Sequence, residues 1–372
     1  MRSSFRPKPF VSPLRLALGC LVLTAISAMT GCGGSPRAAV IEPAKNLYVI
    51  QNNNTNGVEA DTVLAISTTA TGATAPASTL QLPSTIVAFA VATGPDGEIY
   101  VGGAISESAG EVLVYEAGAS GAATPAATLI GGGTGTFTSP LYLTVDSKGQ
   151  LYVFSGDGSI ESFAKGATTA ASPVRYLTYP ITTNDYFSGI GVDDAGEIFV
   201  TDEEDGIIDV FSPGANGATA PTRSISTSST GNFTQLTGLV VDGAGDVTVM
   251  NYNAADDPFG DVAAKPALIR PHRLMARPRN DSLQVTTSIL TFPAGAAGTA
   301  TPTRVLTGSL TAINEPEGVA IDGLANLYYE DYEGGAPTLM IFPPAAIGNV
   351  APKASITSTA FTTSYFGAIA AF

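Results

Sequence analysis

Short apolar runs, broken by turns that contain Asp and Gly, recur along the chain from residue 46 to its end. In "GIGVDDAGEIFV" (189–200), "GLVVDGAGDVTV" (238–249) and "GVAIDGLANLYY" (318–329), a small-residue strand ends near Asp, a turn with Gly follows, and a second strand begins. "YLTVDSKGQLYV" (142–153) and "AVATGPDGEIYV" (90–101) are weaker copies. After a short loop comes a third, alternating strand, as in "GSIESF" (158–163), "GIIDVF" (206–211), "SILTF" (288–292) and "TLMIF" (338–342). It runs into a phrase that occurs six times, in which an apolar or aromatic residue is followed ten positions later by proline. The pairs are Ile66–Pro76, Tyr115–Pro125, Phe163–Pro173, Phe211–Pro221, Phe292–Pro302 and Phe342–Pro352. A Gly/Ala/Thr-rich turn fills each gap, and a fourth strand follows the proline, as in "PTRSI" (221–225) and "PTRVL" (302–306). The prolines recur every 48–50 residues apart from one step of 81. Self-similarity at such a period marks a repeat architecture, and four short strands per repeat predict propeller blades.

Six phrases predict six blades. The first copy opens directly at "NLYVI" (46–50), which matches a second strand, so its innermost strand is missing. The tail "FGAIAAF" (366–372) resembles "FSGIGVD" (187–193) and is expected to supply that strand, closing the ring and removing two open sheet edges. Ala90, Gly189, Gly238, Gly318 and Ala368 share one register of the innermost strands, as convergence on a narrow axis requires. Tyr142 is the exception and is expected to plug part of the channel. The long step places an insertion, 252–287, in the loop between the second and third strands of blade five. The expected organisation is a leader (1–31), a short tether (32–45) and an all-β six-bladed propeller of four-stranded antiparallel blades (46–372).

The pattern P-x-G-apolar-A-apolar-D, followed by x-x-G-x-apolar-Tyr-Val, resembles NHL repeats and related six-bladed propellers, and "EPEGVAIDGLANLYY" (315–329) is its nearest copy. The resemblance covers 46–372. It implies the architecture and leaves function open, because such propellers host many unrelated roles.

The N-terminus supplies a cellular address. Arg2, Arg6, Lys8 and Arg15 precede an apolar stretch, Leu16 to Met29, which has signal-peptide length and is short for a membrane span. The stretch ends in "MTGC", which resembles a bacterial lipobox and implies acylation of Cys32. An ordinary secretory cleavage nearby is the alternative. The other cysteine of the chain, Cys20, lies inside the leader, so the mature protein is expected to lack disulfides and thiolate metal sites. Removing 1–31 takes four basic residues and no acidic one, leaving 13 basic against 32 acidic residues, a formal −19. That charge argues against nucleic acid and against electrostatic attachment to anionic lipid. The expectation is an exported, membrane-anchored lipoprotein facing the periplasm or exterior, monomeric, touching the membrane through its lipid alone.

Loops from second to third strands and from blade to blade open on one face. Asp157, Asp202, Glu203, Asn251, Glu330 and Asp331 fall there, with Glu317 at the start of an innermost strand, and together they make the candidate binding face. Carboxylates and amide oxygens of this kind suit a hard cation such as Ca²⁺. The competing reading is a solvated polar face, and no spaced Ca²⁺-loop motif is present. Glu317-Gly318 resembles the metal-binding Glu followed by Gly at an innermost strand of six-bladed, regucalcin-type lactonases, and that resemblance makes Glu317 a candidate metal ligand. Asp146, Asp193, Asp242 and Asp322 sit in the turns of the opposite face, where side-chain hydrogen bonds to the turn backbone are expected.

Nucleophilic catalysis finds little support, since there is no G-x-S-x-G and the one histidine is His272. His272 lies in "KPALIRPHRLMARPR" (265–279), with Arg270, Arg273, Arg277 and Arg279 and no acid. This segment reads as a disordered excursion, as a lid neutralised by the acidic face, or as a site for an anionic partner. Taken together, the residues favour a non-catalytic propeller that binds an envelope protein or extracellular ligand without a cofactor. The alternative is a Ca²⁺-type metal-dependent hydrolase, for example a lactonase.

Overall fold

The structure is a computed structural model. It describes residues 44–372 apart from 56–57, 107, 132–136, 180–186, 204, 228–232, 234–235, 253–286, 315, 332–336, 359 and 362–368. Six antiparallel four-stranded sheets stand in a ring, which is the six-bladed β-propeller that the repeats predict. Counted from the axis outward, blade two holds Val87–Thr93, Ile99–Ser106, Ala109–Tyr115 and Ala127–Leu129. Blade three holds Pro140–Val145, Leu151–Ser155, Ser159–Phe163 and Arg175–Thr178, and blade four Ile190–Val192, Ile198–Asp202, Ile207–Phe211 and Arg223–Thr227. Blade five holds Leu236–Val241, Val247–Asn251, Ser288–Phe292 and Arg304–Thr307, and blade six Pro316–Ile321, Leu327–Asp331, Thr338–Phe342 and Ala354–Thr357.

Blade one is built from both ends of the domain. Its second, third and outer strands are Asn46–Gln51, Thr62–Ser67 and Ser78–Gln81, and its innermost strand is the C-terminal Ile369–Ala371. The register is Leu47↔Ala371, Tyr48↔Ala370 and Val49↔Ile369. Beyond it, Lys45 N and Asn46 N both donate to Phe372 O, at 2.7 and 2.8 Å, and Phe372 N donates to Asn46 O at 3.0 Å. The tail thus completes the first blade, as its likeness to 187–193 implies.

The hydrophobic core is divided among the six seams between blades. Each sheet is therefore covered on both faces, and in second strands such as Ile198–Asp202 every residue is buried. This explains near-continuous apolar runs where a one-faced sheet would alternate. Outer strands border solvent and do alternate, as in Ser78–Gln81. The first residue of the recurring phrase is the anchor of each seam. Ile66, Tyr115, Phe163, Phe211, Phe292 and Phe342 are all 0% exposed and pack against the preceding blade. Burying a side chain of this size contributes about 1.5–3 kcal/mol.

The rest of the phrase is more than a turn. It reaches outward and pairs, in parallel, with the outer strand of the preceding blade. Gly298–Ala300 of blade five joins Arg223–Thr227 of blade four, and Gly72–Ala73 of blade one joins Ala354–Thr357 of blade six. Single bridges do the same at Leu80↔Gly121, Leu177↔Gly217 and Leu306↔Gly348. The pairing residue is each time the glycine six positions after the anchor, with φ between +57° and +73°. Blade three has Thr169 at that position, and its seam with blade two has no such bridge among the described residues; instead Thr128 N donates to Thr169 Oγ1 at 3.2 Å. The peripheral belt thus follows the glycine.

Arginines of the outer strands reinforce it. Arg175 Nη2 donates to Ser212 O at 2.7 Å, Arg304 donates to Ala346 O and Pro343 O at 2.8 and 2.9 Å, and Arg223 donates to Ala296 O at 3.1 Å, each in the next blade's phrase. Arg223 also forms a bidentate pair with Glu197, at 2.5 and 2.7 Å, and lies 5.6 Å from the Phe199 ring centroid. The guanidinium fork fits such paired acceptors in a way an ammonium does not.

On the face where innermost strands turn into second strands, the four Asp carboxylates cap their own turns. Oδ1 of Asp146 accepts from the amides of Lys148 and Gln150, that of Asp242 from Ala244 and Asp246, and that of Asp322 from Leu324 and Asn326, all at 2.8–3.0 Å. Asp193 accepts from Glu197 N at 2.8 Å. Asp322 also accepts from Ala44 N and the Tyr328 hydroxyl, tying the start of the described chain to blade six.

Two changes test this architecture. Removing residues 369–372 should expose the edge of Asn46–Gln51 and abolish a single cooperative melt; a monomeric truncation that melts unchanged would contradict ring closure. Gly217→Ala should cost about 1–2 kcal/mol in urea unfolding, because an L-residue is strained at positive φ. An unchanged midpoint would show that the belt does not depend on that conformation, since a Cβ at Gly217 meets nothing within 4 Å.

Candidate functional site

Antiparallel connectivity puts the second-to-third-strand loops and the blade-to-blade loops on the face opposite the Asp turns. At the axis, the innermost strands enclose a cavity of about 70 Å³. Its lining includes Ala90, Gly189, Gly238 and Gly318, the small-residue register of the sequence. Ala368 lies outside the described residues. The small residues are needed, because a Cβ on Gly189 would meet Leu239 Cβ at 2.9 Å. Tyr142 also lines the cavity, but it does not stand across it as a plug. The residue is 8% exposed and its hydroxyl donates to Phe187 O, toward blade four. Burial, and then the negative charge of Glu203, hold its phenol well above the usual range.

Four innermost strands shift register at the same height, between Ala88/Ala90, Pro140/Tyr142, Leu236/Gly238 and Pro316/Gly318. The extra residues, Phe89, Leu141, Thr237 and Glu317, line the axial cavity, with Ser188 at the matching place in blade four. Bulges re-aim side chains in this way. The five positions carry one carboxylate, that of Glu317. Ca²⁺ takes six to eight oxygens and is held by several carboxylates or carbonyls, so this donor set is poor for it. Among the described residues, no three His, Cys, Asp or Glu side chains converge as a metal-binding group.

The other candidate residues are not gathered into one centre. Asp157 is exposed and holds its own hairpin, accepting from Ser159 N at 3.0 Å, Ser159 Oγ at 2.7 Å and Thr138 Oγ1 at 2.9 Å. Asp202, Asn251, Glu330 and Asp331 were expected in loops. They instead end the second strands and are 6%, 2%, 0% and 2% exposed. Two of these carboxylates are answered by donors from other segments. Asp331 accepts from Asn314 N at 2.9 Å, and Asp202 from Asp205 N at 3.1 Å and the Tyr179 hydroxyl at 3.0 Å. Glu203 is half-buried beside them. Cys32, Arg270, His272, Arg273, Arg277 and Arg279 lie outside the described residues. The insertion does leave and rejoin paired strands, because Asn251 faces Ser288 in an unbroken ladder.

Two polar centres escaped the sequence reading. Tyr179, 3% exposed, follows the outer strand of blade three and donates to Asp202 and, at 2.6 Å, to Asp209 of blade four. Burial, then the hydrogen bonds and charges of Asp209 and Asp202, push its phenol far above the usual range. Around it pack Phe154, Phe187 and Phe211, with ring centroids 5.0–6.4 Å from that of Tyr179. Asp61, 0% exposed, accepts from Asn53 N, Asn52 Nδ2 and Ala88 N at 3.0, 2.8 and 2.9 Å, joining blade one to blade two. The available signal was an acid inside an apolar strand, as in "IIDVF", since a buried carboxylate needs partners.

No family model matches the chain, and no curated protein matches its sequence. Solved structures resemble it. One is a protein of unknown function from Bacteroides caccae, 9% identical over 88% of this chain and 98% of that one, with a TM-score of 0.52. Others are the WD40 domain of Toxoplasma gondii coronin, 11% identical over 87% and 79%, TM-score 0.49, and a protein from Lactobacillus plantarum, 11% identical over 88% and 98%, TM-score 0.48. At such identities the likeness is one of fold alone.

Two outcomes are expected of this face. Replacing 253–286 by a short Gly-containing turn should leave the melting temperature within about a degree or two of the wild type, because surface loops tolerate changes of length. A large loss would show that the segment is packed. Tyr179→Phe leaves two buried carboxylates without their shared donor and should cost about 2–3 kcal/mol at neutral pH. A phenol whose folded pKa is raised gives stability that is complete below its unfolded value, about 10, and is lost as pH rises beyond it. Wild-type stability should therefore fall above about pH 10, and less steeply in Tyr179→Phe. Equal slopes would contradict the role of this phenol.

Proposed function

We propose that the protein is an exported, lipid-anchored propeller of the bacterial envelope, built of NHL-like repeats, that binds a protein or extracellular ligand and catalyses no reaction. The observation that supports this most is the axis. A cavity of about 70 Å³ is far below the roughly 300–1,000 Å³ of sites that enclose organic ligands, and has room for a few waters. Among the described residues its rim carries a single carboxylate, Glu317, with Phe89, Leu141, Ser188 and Thr237. Binding then falls to the broad loop face, with Asp157 and Glu203 exposed or half-buried on it. The formal −19 of the chain after residue 31 speaks against nucleic acid as the ligand. Export and acylation at Cys32 rest on the basic start, the apolar stretch and "MTGC".

A second reading, a metal-dependent hydrolase of lactonase type, is favoured by one observation, the position of Glu317 on the axial cavity. Thermal melting in Ca²⁺ and in EDTA separates the two. A bound ion at 100 times its Kd stabilises the native state by about 2.7 kcal/mol. The binding reading expects superimposable melts. A rise in Ca²⁺ that Glu317→Gln removes would establish the hydrolase-type site instead. Mass spectrometry of membrane-purified protein should find acyl chains on Cys32; an unmodified mature N-terminus elsewhere would refute the anchor.

A further inference from the structure

The point at which the chain joins the ring has a directional consequence. Asn46–Gln51 begins at the Asp-turn face. Ala44 N donates to Asp322 Oδ2 in a turn of that face, and Lys45 N donates to Phe372 O at the end of the innermost strand. The insertion of blade five leaves Asn251 and rejoins Ser288 on the opposite face. A five-residue strand separates the two faces by about 17 Å before any loop is counted. Between Cys32 and Ala44 lie eleven residues, which span at most about 40 Å in any conformation.

We infer that the propeller stands on the membrane with its Asp-turn face inward and its loop face outward, so that the loop face meets partners of the surrounding compartment rather than lipid. This rests on the acylation of Cys32 proposed above. The tether joins the ring on one face only, and it must spend at least about 17 Å of its roughly 40 Å reach along the side of the ring before the opposite face can meet the bilayer, so the face it joins is favoured. Charge does not draw this face to the bilayer. Asp96 and Asp194 are exposed on the Asp-turn face, and Asp242, Asp246 and Glu98 are partly so. Lys45 and Lys148 are exposed there too, and Lys165 is paired with Asp96. An acidic face is not drawn to anionic headgroups, so the tether and not surface attraction keeps it near the bilayer. The face left outward is the one that carries Asp157, Glu203 and both ends of the insertion.

The orientation can be read by energy transfer, because the mature chain has no cysteine besides Cys32. Single variants Ala244→Cys, in an exposed Asp turn, and Ser106→Cys, in an exposed hairpin of the loop face, offer labelling sites on either side. Each acylated protein is labelled with a donor dye and reconstituted into phosphatidylethanolamine–phosphatidylglycerol vesicles bearing rhodamine-labelled headgroups. Transfer should be at least about twofold stronger from position 244 than from 106, given the separation of the faces and the short tether. Inserting a long Gly/Ser linker after residue 33 should remove the difference. Equal or reversed transfer in vesicle-bound protein overturns the orientation while leaving the anchor in place. A difference that survives the linker overturns the tether as its cause and points to direct contact with headgroups. Failure of the acylated protein to float with vesicles overturns the anchor, and the orientation with it.

Discussion

Every sheet of this ring is apolar on both faces, and that constraint governs the rest. A blade with such faces is buried only between two neighbours, so an open row of six would leave blade one and blade six each with a bare face. Pairing Ile369–Ala371 with Asn46–Gln51 removes the problem by making the first blade out of both ends of the domain. The seam it completes holds Leu47, Val49, Leu64 and Ile66 against Ala320, Tyr328, Leu339 and Ile341. The fold is thus cooperative in a circular sense. Loss of one short terminal strand opens two seams at once, because the same strand also contributes Ala370 to the core shared with blade two.

A second circle runs around the outside. Each recurring phrase buries its anchor against the preceding blade, and five of the six then lend a glycine to that blade's outer strand. Outer edges, which would otherwise offer unpaired amides and carbonyls to other chains, are thereby covered. The arginines at 175, 223 and 304 add donors to the same junctions. The exception at Thr169 is informative. Where the residue that tolerates positive φ is missing, the parallel bridge is missing as well, and a side-chain hydroxyl takes over one contact.

Much of this was legible in the sequence. The anchors and prolines declare the period, the tail resembles the strand missing from the first blade, and the Asp turns carry their own capping residue. The belt was not legible, because Gly217 or Gly298 reads as an ordinary turn glycine until its partner in the preceding blade is known. The candidate face was only partly legible. Asp202, Asn251 and Asp331 look like loop residues by type, but they are buried strand ends whose partners, Tyr179 for Asp202 and Asn314 for Asp331, lie in segments distant in sequence. Local pattern specifies which residues are polar. It does not specify that another blade supplies the donor.

Function follows from what the circle leaves available. The axis is narrow, so recognition is proposed for the loop face, which the proposed lipid anchor would leave pointing away from the membrane. All of this depends on the ring being closed in solution. Hydrogen exchange read by mass spectrometry on the C-terminal peptide tests that most directly, because chain ends normally fray. If residues 369–372 are the innermost strand of blade one, the amide of Phe372 and its neighbours will exchange as slowly as Ile198–Asp202, a fully buried second strand, and only through global unfolding. Exchange of the terminal peptide within seconds under native conditions, with the other blades still protected, would contradict the closure on which the structure depends.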